Sequence, residues 1–211
     1  MSKGSRLRNF VYFIVLSIFG VVAVILFGVL FSSVLSLFKS ISMEIRQIIL
    51  TWTAMIMGLC IVPYLIVKKV YAPTAYDIGI GKIKRYEIFG ICLIAFLAIA
   101  YLLLKRPEMN LYILMAAIIQ NIGVSMSEEF FSKGILFYIA RKITKVKIIV
   151  VVMSAVVFAF FFHSEDLFIT NLTYRFPMGI ILGIIYLKSE NIYLPITLHL
   201  ANNLIATSVL K

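Results

Sequence analysis

Charge is what this chain has least of. Asp, Glu, Lys and Arg make up 14% of its 211 residues, against about 25% in an ordinary soluble domain. Hydrophobic residues make up 63%, and a water-exposed fold of this size has too little interior to hide them. A bilayer removes that requirement. Cysteine is nearly absent. Cys60 and Cys92 both lie in apolar runs and read as small hydrophobes, neither a disulfide pair nor a metal site. There is no HExxH motif, no internal repeat and no low-complexity stretch. Histidine occurs twice, at His163 and His199.

What is present is a series of apolar runs, each near the roughly 20 residues that a spanning helix needs. Seven are readable, at 10–37, 47–67, 86–104, 111–140, 147–163, 172–187 and 192–210. The fold class is therefore all-α, a polytopic membrane helical bundle with about seven transmembrane helices. The fifth and sixth runs are short for a core of about 30 Å, so one is expected to be tilted, broken or longer than it reads. The basic N-terminus resembles the front of a signal peptide, but the run behind it is too long for one and reads as a retained span. The net charge is +11. Its carriers sit in short loops between the runs, so the partner they imply is membrane lipid and not nucleic acid. With the N-terminus inside, inside segments hold thirteen of the 20 Lys and Arg residues, Lys82 among them, and outside segments hold six, including Arg175 and Lys211. That asymmetry predicts an N-terminus in the cytoplasm, in what reads as a bacterial cell membrane.

Three runs carry polar groups that bilayer depth disfavours by at least about 2.5–3.5 kcal/mol per charge. The first holds Glu128, Glu129 and Lys133, the second His163, and the third His199 with Asn202 and Asn203. Glu129 and Lys133 are four apart, acid first, which favours an ion pair on one helix face. Glu128 points elsewhere and has no partner nearby in sequence, which suits a general acid or base. His199 and Asn203 share a face, Asn202 points away from it, and Pro195 starts this helix or breaks its first turn. Glu165 and Asp166 are expected to face water or cap the next element. Each cluster alone has a blander explanation as an interhelical hydrogen bond or salt bridge. Together, one carboxyl and two imidazoles are the minimum set to activate a water and stabilise an oxyanion. They are equally a possible three-ligand metal site.

These residues resemble the CAAX-protease and bacteriocin-processing (CPBP, or Abi) family of intramembrane proteases. Its pattern is EExxxR, FxxxH and HxxxN or HxxxD, each on its own helix. Here EEFFSKG, His163 and His199 with Asn203 occupy those places. The likeness covers about residues 110–210, so 1–105 read as N-terminal transmembrane helices and 106–211 as the catalytic core. It implies an endopeptidase acting on a peptide or on a protein's C-terminal segment. Glu128 and His163 would activate water, His199 and Asn203 would stabilise the oxyanion, and Glu129 and Lys133 would support them. It implies no cofactor in the glutamate-dependent version, or zinc on Glu128, His163 and His199 in the metallo version. The chain departs from the pattern twice. Lys133 replaces the Arg and lacks its bidentate fork, so Glu129 is expected to be held less firmly. Ala159 stands where a Phe is expected, and either neighbour, Phe158 or Phe160, can supply the aromatic. The alternative is a non-enzymatic immunity or regulatory membrane protein. A transporter reading lacks the repeat that such folds show. A serine-type reading on Ser125, Ser127 or Ser132 is weaker, because serines in apolar helices are expected to bond back to the backbone.

Overall fold

Seven helices account for the apolar runs. The structure is a computed structural model, and it describes residues 3–81 and 83–209; Lys82, Lys211 and Leu210, the last residue of the seventh run, lie outside the described residues. The helices are α1 (Lys3–Ser36), α2 (Met43–Tyr71), α3 (Arg85–Lys105), α4 (Leu111–Arg141), α5 (Lys147–Phe160), α6 (Phe168–Ser189) and α7 (Tyr193–Val209). Five of them, α1 to α4 and α6, are long and apolar enough to cross a membrane. α5 and α7 are shorter. No strand occurs among the described residues. The protein is an all-helical membrane bundle.

Helix starts follow from local chemistry. Ser42 Oγ accepts the Ile45 N–H at the start of α2 (3.4 Å), and Asn110 Oδ1 accepts the Ile113 N–H at the start of α4 (2.9 Å). Each satisfies one of the donors that a helix N-terminus leaves free. Ahead of α3, the Lys84 N–H donates to Glu87 Oε2 (2.7 Å). α2 ends at Ala72 in the left-handed region (φ 46°), and Pro73 follows, which cannot continue a helix. Pro195 falls in the first turn of α7, where its missing N–H would have had no helical acceptor.

Three helices contain a π segment: Ile56–Ile61 in α2, Phe130–Leu136 in α4 and Asn171–Arg175 in α6. Two of the three end two residues before a proline, Pro63 and Pro177. Proline removes one ladder bond and crowds the preceding turn, and a widened turn relieves both. The segment in α4 holds no proline, and it follows directly on Glu129.

The sixth run is longer than its apolar core suggests, since α6 begins at Phe168. The fifth is shorter than read. α5 stops at Phe160, and 14 residues at about 1.5 Å each fall short of a core of about 30 Å. Residues 161–167 therefore continue as irregular backbone, which is tolerated at depth where protein buries it or a cavity lies beside it. His163 sits on this stretch.

Packing is inverted relative to a soluble protein. Large apolar side chains such as Phe89 (70% exposed) and Leu104 (80%) face outward, as lipid contact allows. The interior holds an apolar group around Phe131, Ile135, Leu136 and Phe137, and beside it the polar residues of α4 and α7. α1 and α2 approach so closely that a Cβ at Gly58 would lie 2.6 Å from the Val24 backbone nitrogen. Gly79, in the connection after α2, has φ 77°, a conformation that glycine adopts without steric cost.

Candidate active site

Glu128 and Glu129 end the regular part of α4 and point in different directions, as neighbours on a helix do. Both are buried, as are Lys133 and His199. The expected ion pair is present: Lys133 Nζ lies 3.5 Å from Glu129 Oε2, with neither side chain exposed. Lys133 also donates to Ser132 Oγ (3.1 Å) and stands 5.2 Å from the centre of the Phe158 ring. Glu129 has a second partner, since its Oε1 lies 3.0 Å from His199 Nδ1.

The far nitrogen of His199 faces Glu128. Glu128 Oε2 is 3.8 Å from His199 Nε2 and 3.8 Å from His163 Nε2. Residues from α4, α7 and the turn after α5 thus bring one carboxylate oxygen and two imidazole nitrogens to a common point. At 3.8 Å none of these contacts is a direct hydrogen bond, and such a gap is the kind that a water bridges. Glu128 Oε2 and His163 Nε2 are buried without a hydrogen bond to protein.

The other side of His163 is also bounded. Its Nδ1 lies 3.9 Å from Asp166 Oδ2, and Asp166 is fixed by Arg175 Nε at 3.1 Å. Asn171 Nδ2 donates to the His163 backbone carbonyl (2.6 Å), which also accepts from the Asp166 N–H (3.1 Å). Asp166 departs from the expectation that it faces water or caps the next element: three residues past His163, it is instead half-buried against it and does not cap α6. The result is a sequence of alternating charge-bearing groups, Lys133, Glu129, His199, Glu128, His163, Asp166 and Arg175.

Phe158 packs edge-on to both imidazoles, with ring centres 5.3 Å from His163 and 5.4 Å from His199. It supplies the aromatic that Ala159 lacks. Asn203 Nδ2 bonds Ser125 Oγ (3.4 Å). Ser125 lies one turn before Glu128, and Asn203 one turn after His199, so this contact sits one helical turn from the carboxyl. Asn202 faces the other way, accepting from Tyr174 OH (2.5 Å). The serines behave differently from expectation. Ser125 and Ser132 take bonds from Asn203 and Lys133, and Ser127 Oγ is buried without a partner.

Asp166, Arg175 and Asn171 join the site although sequence patterns alone do not place them there. Arg175 carries the one visible signal, as a lone cation in an apolar run, and it is more than a topology-setting charge.

Tetrahedral zinc places its ligand atoms about 3.4 Å apart, given bonds of about 2.0–2.2 Å. The pairs here stand at 3.8 Å, and among the described residues no group of three His, Cys, Asp or Glu is close enough to form a metal site. The donor types, one carboxylate and two imidazoles, are ones that zinc accepts.

A polytopic membrane bundle with a buried carboxyl between two imidazoles from separate segments defines a class: membrane proteins equipped for acid–base chemistry. Within it, residues 108–205 match the family model for Rce1-like proteins, type II CAAX prenyl endopeptidase Rce1-like. That stretch takes in α4 to α6 and most of α7, and over it the chain is similar to this group of protease-type membrane enzymes, the one its motifs resemble. Neither the curated proteins nor the solved structures include a match to this chain.

Proposed function

We propose that this protein is an intramembrane endopeptidase in which Glu128 and His163 activate a water and His199 with Asn203 stabilises the oxyanion. The observation that carries the reading is the pair of 3.8 Å separations from Glu128 Oε2 to the two Nε2 atoms. A water between them has three polar partners, enough to hold it.

In this reading Glu128 takes a proton from the water, and the water oxygen attacks the scissile carbonyl carbon. His163 accepts the second water hydrogen bond at Nε2, which requires the proton on Nδ1, the nitrogen facing Asp166. The carbonyl electrons move to oxygen and form a tetrahedral oxyanion. To donate to that oxyanion through Nε2 while donating through Nδ1 to Glu129, His199 must be imidazolium, and Glu129 is its counter-charge. Asn203 Nδ2 adds a neutral donor. The C–N bond then breaks as Glu128 hands its proton to the leaving nitrogen, which restores the carboxylate. The substrate is a peptide or a protein's terminal segment presented at the membrane.

Hydrolysis by purified protein in lipid nanodiscs tests this, read by mass spectrometry in water enriched with oxygen-18. The expected product carries one solvent oxygen in its new carboxyl group, and a zinc chelator leaves the rate unchanged. Abolition by the chelator with restoration by zinc would replace the metal-free mechanism. Unchanged cleavage by His199→Ala would remove the assignment altogether.

Asp166 is expected to act through His163. Asp166→Asn should lower turnover about tenfold to a hundredfold, the usual cost of losing a carboxylate that orients an imidazole. The Michaelis constant should stay within about twofold, because Asp166 holds the catalytic group and not the peptide. Steady-state kinetics on one reporter peptide distinguishes this from a general folding defect.

A further inference from the structure

A cavity of about 260 Å³ opens beside Glu128. Half of its lining comes from outside the family-matched stretch: Val21, Val24 and Ile25 from α1, and Met55 and Leu59 from α2. Phe161 and Phe162 complete the apolar wall, from the irregular stretch that carries His163. Its polar lining is Glu128, which is buried, and Ser164 and Glu165, which are exposed and form the rim. Among the described residues, no cationic side chain lines it.

We infer that this cavity is the specificity pocket of the enzyme, taking one uncharged apolar side chain of the peptide next to the bond that is cut. The inference rests on Glu128 being the group that activates water. Size limits the occupant. A cavity of about 150 Å³ lined by apolar side chains holds a benzene ring, so an aromatic or branched aliphatic side chain fits here. Whole small-molecule ligands use about 300–1,000 Å³, so the space suits a single side chain. Charge limits it further. An acidic side chain, or a free C-terminal carboxylate, would meet Glu128 and Glu165 with no cation among the lining residues to offset them. That penalty selects against it as strongly as contacts select for an apolar group.

Proximity makes this a determinant of cleavage position. The same carboxyl both ends the pocket and faces the two imidazoles, so a side chain seated in the pocket brings its own peptide bond to the water site. α1 and α2 therefore supply the selectivity, and α4, α7 and the turn after α5 supply the chemistry.

Two measurements on the full-length protein in nanodiscs test this. The first compares cleavage of internally quenched peptides that differ at one position, carrying Phe, Leu, Ala or Asp. The wild type should prefer Phe and Leu over Ala, and Ala over Asp. Val21→Phe, which fills the pocket from α1, should lower the Phe-to-Ala ratio about tenfold, and Val21→Ala should raise it. The second measurement uses Glu128→Gln protein and the same peptide with p-benzoylphenylalanine at that position. Photolysis should attach it to α1 or α2, at Met55 above all. Unchanged ratios in both Val21 variants, with crosslinks elsewhere, overturn the pocket while leaving the protease assignment standing if the wild type hydrolyses the peptides. Crosslinks at Met55 with no hydrolysis by the wild type uphold the pocket and sink the protease assignment.

Discussion

Replacing Lys133 with methionine should destabilise the protein by about 3–5 kcal/mol, the cost of leaving a buried charge without its partner. Neither Lys133 nor Glu129 has any exposed side-chain surface, so no water can take the place of the lost ammonium. The gap between Nζ and Oε2 is 3.5 Å, long for a hydrogen bond, which makes the attraction mainly one of charge. Methionine matches lysine in length and keeps the packing against Phe158, so a cavity does not confound the result. Glu129→Gln in the Lys133→Met background should recover part of the loss, because the carboxylate that has lost one of its two cationic partners is then gone. Glutamine can still face His199. Thermal unfolding of the four proteins in one detergent gives the double-mutant cycle. If Lys133→Met melts within about 1 °C of the wild type, the pair is not a structural support for the site.

The Lys133 result also bears on the departure from the family's arginine. Lysine lacks the fork that would clamp a carboxylate with two parallel bonds, and a loosely held Glu129 is the consequence expected from sequence. Two residues share the work of that fork instead. Lys133 faces Oε2, and His199 holds Oε1 at 3.0 Å. Glu129 is thus fixed at both oxygens without a guanidinium.

The seven helices were legible because lipid imposes one dominant signal, about 20 apolar residues between charged loops. The meeting of Glu128, His163 and His199 was legible for the same reason in reverse, since polar groups at depth seek each other. Asp166 was not legible, because its position depends on a turn after α5, and turns carry no hydrophobic period. The π segment Phe130–Leu136 was invisible as well. Without a proline or a break in the apolar pattern, nothing marks a widened turn, and the i,i+4 geometry assumed for Glu129 and Lys133 belongs to a regular α-helix. The pair meets anyway, at ion-pair range. The walls of the cavity were unreadable for a different reason. α1 is apolar on every face, so no pattern told Val21, facing the site, from Val22, facing lipid.

The second large effect is expected at Glu128. Glu128→Gln preserves shape and removes the proton acceptor, so turnover should fall by about a thousandfold or more, within the 10²–10⁴ range of positioned acid–base groups. The protein should accumulate in the membrane at the wild-type level, because Glu128 has no short bond to lose: the two imidazoles that face it stand at 3.8 Å. This sets it apart from Glu129, where removal would break a direct contact and affect folding. Glu128→Asp sharpens the test. It keeps the carboxylate but withdraws it by one methylene, widening a gap that already needs a water to bridge it, and a loss of about tenfold to a hundredfold is expected. A base that acts by position gives this order: wild type, then Asp, then Gln. A structural carboxyl gives another, in which Gln, the better steric match, outperforms Asp. The same variants separate an enzyme from a membrane protein that only sequesters a peptide. Sequestration depends on shape and apolar contact, so Glu128→Gln would keep full protection of cells against that peptide, whereas loss of protection together with loss of cleavage ties the biological effect to the carboxylate.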